Sequence, residues 1–157
     1  MLKISPKISI NISLVIAAVF MVACVFGAFI MPTLVEMLIN LPDNIGNRGD
    51  ITDFGRILVL VMAYVMLSIL MLADGLMIAL LTRVRKGLVF SSKSIACIRG
   101  ISWCCFMISV VFIILGIYFQ LSFILAFFAV FLGISLRVVK NVIEEATEIK
   151  SENDLTV

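Results

Sequence analysis

Asp74, in the run Leu70-Met71-Leu72-Ala73-Asp74-Gly75-Leu76, is the residue best placed to do chemistry, because it is the only acid deep inside a long apolar segment. An ionised carboxylate in hydrocarbon costs about 2.5–3.5 kcal/mol even on lenient insertion scales. Three arrangements offset that cost. A salt bridge to Arg137 would tie two segments together: Asp74 lies nine residues before Arg83, roughly 13 Å along a helix, and the long Arg137 side chain can reach inward. A protonated Asp74 hydrogen-bonded to the hydroxyl of Ser102, Ser109 or Ser135 is the second. The third is a proton or cation site on a transport path, with Tyr64 and Ser68 as the nearest polar companions in the run.

The other reactive residue types form no catalytic pattern. Histidine is absent, which removes the commonest general base and the commonest metal ligand together. Cys24, Cys97, Cys104 and Cys105 lie in or beside apolar runs without CxxC spacing. Adjacent helical residues point in different directions, so Cys104 and Cys105 read as inert thiols. Met62, Met66, Met71 and Met77 read as packing groups rather than a metal relay. No Ser-His pair, metal cluster or paired-carboxylate site is legible. The chain is expected to be non-enzymatic and to use no cofactor or metal.

The elements that position these residues are long apolar runs. Of 157 residues, 63% are hydrophobic and 14% charged, against about 45–50% and about 25% in an ordinary soluble domain. Mean hydropathy is +1.25. The runs cover 8–31, 56–82, 101–119 and 121–139, each near the length that spans a bilayer. They predict an all-α integral membrane four-helix bundle, and with their connections and a short tail they leave no soluble catalytic domain. Pro32 is expected to close the first run, and Asp53 to cap the second. Lys3 and Lys7 precede the first run, and Met21-Val22-Ala23-Cys24 resembles a lipoprotein cleavage box. The run nevertheless continues past that box, which favours a retained helix. Gly75 with Ala79, and Ala129 with Gly133, are small-xxx-small pairs that let helices approach closely, here read as packing within the chain.

Charge sets a direction. The connection 83–100 carries Arg83, Arg85, Lys86, Lys93 and Arg99 with no acid, whereas 32–55 holds Arg48 against Glu36, Asp43, Asp50 and Asp53. The positive-inside rule places the basic connection and both termini in the cytoplasm, with 32–55 outside. Leu34, Met37, Leu38 and Leu41 predict a short surface helix in that outer loop, followed by a turn-rich stretch over 42–50. The five basic residues of 83–100 are candidate contacts for lipid headgroups or a partner. Nucleic acid is not expected, because the stretch lacks an aromatic stacking platform. Ser91 reads as an N-cap, with Phe90 and Ile95 in staple positions.

Beyond the fourth run, Val139, Val142, Ile143, Ala146 and Ile149 mark an apolar face, and Glu144, Glu145 and Glu148 an acidic one. This predicts an amphipathic cytoplasmic extension over 140–157. Its last part, Glu145-Ala146-Thr147-Glu148-Ile149-Lys150-Ser151-Glu152-Asn153-Asp154-Leu155-Thr156-Val157, closely resembles the ending of the small bacterial membrane proteins grouped as domain of unknown function 2975 (DUF2975). The Phe90-Ser91 helix start is similar too. The resemblance implies a four-span protein of the bacterial cell membrane and transfers no site residues. Members are often encoded beside a small helix-turn-helix regulator, which implies a regulatory pairing.

The expected role is regulatory, stress-response or immunity-type, acting through helix packing and contacts of the basic connection and tail. Its expected partners are the lipid bilayer and a cytoplasmic protein or a second copy of the chain. The alternative is an oligomeric small transporter or channel with Asp74 as its proton or cation site.

Overall fold

The computed structural model describes residues 6–40, 51–89 and 91–154. Four helices follow in order: α1 (Pro6–Ile39), α2 (Asp53–Arg85), α3 (Ser92–Leu115) and α4 (Leu121–Asp154). All four are long and apolar enough to cross a membrane. Lys3, the turn-rich stretch 42–50, Phe90 and residues 155–157 lie outside the described residues.

Pro32 does not close the first helix. Proline lacks the N–H that would bond the carbonyl four residues back, here that of Ala28. Tyr64 of α2 supplies a substitute, its hydroxyl donating to the Ala28 carbonyl at 3.2 Å. A neighbouring helix thus satisfies the freed backbone group, a condition under which apolar spans tolerate proline. The helix runs on to Ile39, and Leu34, Met37 and Leu38, expected in a separate surface helix, lie in its final turns; Leu41 falls outside the described residues.

The start of α2 also differs from expectation. Thr52, with extended backbone, is the N-cap, its hydroxyl accepting from the Gly55 N–H at 3.3 Å. Asp53 falls in the first turn instead, where a carboxylate faces the positive end of the helix dipole.

The α2–α3 connection is held by local bonds. Gly87 adopts φ +76°, a left-handed conformation that glycine enters without Cβ strain. The Gly87 N–H then reaches the Val84 carbonyl, and the Leu88 N–H the Arg83 carbonyl, both at 3.0 Å. This is the Schellman arrangement that satisfies the last carbonyls of a helix. Ser91 caps α3 by accepting from the Ser94 N–H. The Leu88 carbonyl accepts from the hydroxyls of Ser91 at 3.1 Å and of the fully buried Ser94 at 2.8 Å.

Neighbouring helices run antiparallel. Val35 of α1 shares a core with Val59 and Ala63 of α2 and Val111 and Leu115 of α3. At the α3–α4 hairpin the Phe123 ring lies 2.7 Å from where a Cβ on Gly116 would stand, so only glycine admits that ring. Helix α1 packs most closely on α2, α2 on α3 and α3 on α4, and a cavity of about 290 Å³ is lined by all four helices, from Met31 and Val35 of α1 to Ser122 and Leu125 of α4. The closest packing of the four expected helices thus follows chain order. Lipid solvates apolar side chains as well as another helix does, so apolar faces alone do not decide which helices meet. Among the described side chains of α1, only Ala17, Cys24 and Val35 are buried.

Candidate functional site

Asp74 sits on α2 at the level where α1 presents Ser13, Ala17 and Phe20. With Ile16, Met77 and Leu81 these residues line an open-sided cavity of about 410 Å³. The residue is only 8% exposed, and its Oδ2 is buried with no hydrogen-bond partner among the described residues. A Cβ built on Gly75, next in sequence, would stand 3.9 Å from the end of the Met21 side chain of α1. A buried polar atom left unpaired costs about 1–3 kcal/mol, so this carboxyl is an exception that the fold sustains.

The pairings weighed for Asp74 do not form. Arg137 is held elsewhere, against rings of α3. Its guanidinium stands 5.3 Å from the Trp103 ring centre and 5.5 Å from that of Phe106. Ser102 donates to the Gly133 carbonyl at 2.8 Å and Ser135 to that of Phe131 at 2.8 Å. Ser109 is buried on α3 without reaching Asp74. Within α2 itself, Ser68 donates to the Tyr64 carbonyl, and the Tyr64 hydroxyl is engaged with Ala28. A chain of hydroxyls leading to Asp74 is not among the described residues.

A second polar centre lies between α3 and α4, at the end of the helices that carries Arg83 and Arg85. Glu144 is within 3.7 Å of Arg99 and also accepts from Lys140, one helical turn away. The Lys140 hydrogen bond and, less strongly, the charges of Lys140 and Arg99 hold the Glu144 carboxyl below the ordinary glutamate range. Glu144 lies beyond the apolar run of α4, which ends at Val139. Arg99, Arg137 and Lys140 surround a cavity of about 200 Å³ with Ser102, Trp103 and Asn141.

Of the five basic residues of the connection, only Arg99 joins this centre. Arg83 and Arg85 close α2, Lys86 is its C-cap, and Lys93 is exposed in the first turn of α3. The sequence reading missed Lys140 and Glu144 as a pair, although their i, i+4 spacing is a recognised helical signal. It also passed over Trp103, the only tryptophan in the chain. The Ala129 and Gly133 pair faces α3, with Gly133 against Phe106. All four cysteines are free thiols, buried except for the half-buried Cys105.

A family model described as a protein of unknown function, DUF2975, matches residues 6–157. No curated protein and no solved structure matches this chain.

Proposed function

The chain belongs to the DUF2975 family, and we propose that it is a non-enzymatic, multi-pass protein of a bacterial cell membrane with a regulatory, stress-response or immunity-type role. In this reading both termini and the α2–α3 connection face the cytoplasm, and residues 140–157 form an amphipathic extension that meets a protein partner. The observation that carries it is the continuity of α4, a single helix from Leu121 to Asp154. Arg99 and Lys140 hold Glu144 where α4 leaves its apolar run. A shift between α3 and α4 in the membrane would therefore move the whole extension. Val142 and Ile149 are exposed on it, beside the acids Glu145 and Glu148. Deleting residues 144–157 should leave the protein in the membrane fraction while abolishing its cellular effect and its co-purification with a partner. Retention of both by the truncated chain would overturn the reading.

One observation favours a second reading, an oligomeric transporter or channel. An ionisable residue within a span is by default a functional candidate, and Asp74 has a buried, unpartnered oxygen on a cavity shared with α1. Flux measurements in proteoliposomes separate the two. Transport predicts pH-dependent proton or cation flux that Asp74→Asn abolishes, whereas a regulatory protein gives none.

A further inference from the structure

The cavity between the basic ends of α3 and α4 has more positive charge than its own acid neutralises. Arg99, Arg137 and Lys140 face one carboxylate, Glu144, which leaves a net charge of +2 from three cations and one anion. Lys140 is largely withdrawn from solvent, its side chain only 15% exposed. Arg137 has no carboxylate within ion-pair distance among the described residues; the Trp103 and Phe106 rings hold it instead. A cation–π contact fixes a guanidinium without consuming its N–H donors. Asn141 accepts from Lys140 at 3.3 Å, which leaves its own amide N–H groups available. Ser102 contributes only wall, since its hydroxyl is spent on Gly133.

The level of the cavity says which anion fits. Arg99 stands just before the apolar run of α3, and Arg137 and Lys140 bracket the end of the apolar run of α4. Trp103, 55% exposed, lies at the same level, and tryptophan favours the headgroup layer of a bilayer. Towards the apolar interior, Met107 and Val110 continue the Trp103 face of α3 at helical spacing and are exposed. A phosphate in the cavity would thus have an open apolar track beneath it. Basic pockets between spanning helices recognise anionic headgroups in this way.

We propose that Arg99, Arg137 and Lys140 bind the phosphate of an anionic phospholipid, with an acyl chain lying along Trp103, Met107 and Val110. Of the five basic residues of 83–100 only Arg99 takes part in this site, which is independent of the regulatory reading.

The single tryptophan reports on it directly. Full-length protein is reconstituted in phosphatidylcholine vesicles containing equal mole fractions of brominated phosphatidylglycerol or brominated phosphatidylcholine, and quenching of Trp103 is compared. The brominated phosphatidylglycerol should quench several-fold more efficiently. R137Q/K140Q should bring the two lipids to equality, whereas R85Q/K93Q in the connection should keep the preference. E144Q removes the neutralising acid and should increase it, which tests the site without deleting a cation. Equal quenching in the unmodified protein overturns the proposal, as does a preference that R137Q/K140Q leaves intact or E144Q leaves unchanged. Abolition of the preference by millimolar inorganic phosphate at constant ionic strength would identify a free-anion site and likewise overturn it.

Discussion

Asp74 on α2 and Glu144 on α4 are carboxylates of the same molecule, yet they are treated in opposite ways. Asp74 is buried at the α1–α2 contact with an oxygen that finds no hydrogen-bond partner among the described residues. Glu144 is half-buried beside α3 and is held by two cations. The halves differ in the same sense elsewhere. Helix α1 buries few residues and is fastened by the Tyr64 hydroxyl, whereas α3 lies between two neighbours and buries residues along its length. Tight, charge-paired packing marks α3–α4, and an unsatisfied buried oxygen marks α1–α2. The comparison locates stability in one half and places a costly, unpaired group in the other.

The largest effect should come from replacing the unpaired acid. Asp74→Leu removes a buried group that costs about 1–3 kcal/mol when unpaired. It should raise the midpoint of thermal unfolding in detergent. A lower midpoint would show that the carboxyl has a stabilising partner, such as ordered water in the cavity, and would erase the contrast with Glu144.

Tyr64→Phe should come next, at about 1–2 kcal/mol, because the Ala28 carbonyl has no Pro32 N–H to fall back on. The cost should shrink in a Pro32→Ala background, where that N–H is restored. An unchanged cost across this double-mutant cycle would separate the tyrosine from the proline.

Ser102→Ala breaks an interhelical bond in the better-packed half. The Gly133 carbonyl keeps its place in the α4 ladder, so the loss should be only about 0.6 kcal/mol, the average for such bonds within membranes. A loss exceeding that of Tyr64→Phe would reverse the ranking of the two contacts.

The smallest effect is a pH dependence at Glu144. Its folded-state pKa is lowered, so its contribution is present above the unfolded value and is lost as pH falls through the folded one. The midpoint difference between the unmodified protein and Glu144→Gln should therefore be largest near neutrality and vanish in acid. A difference that persists in acid would show that the charge pairs do not fasten the extension to α3.

Much of the fold was legible because bilayer thickness and apolar run length are tied together. The existence of four helices, the tight turn after α3 and the Ser91 cap each follow from a local signal. Pro32 misled because a proline signal is local, whereas its rescue by Tyr64 comes from another helix. Asp53 misled because Thr52, one residue earlier, is an equally good cap. The site was half legible. Burial cost singled out Asp74, but its proposed partner Arg137 rests on the Trp103 and Phe106 rings of α3 instead.

The sequence by itself determined four apolar helices, the asymmetry of charge between their connections, and which carboxylate is costly. Those are properties of composition and spacing along one helix. Tertiary structure alone decided the neighbours: that the closest packing follows chain order, that Arg137 rests on Trp103 and Phe106, and that Asp74 meets no cation among the described residues. The physical reason is that lipid and protein solvate an apolar helix face almost equally well. Hydrophobicity therefore places a helix in the membrane without choosing what packs against it. That choice falls to close-range geometry, to small residues, single hydroxyls and ring faces, whose partners lie far apart in the chain.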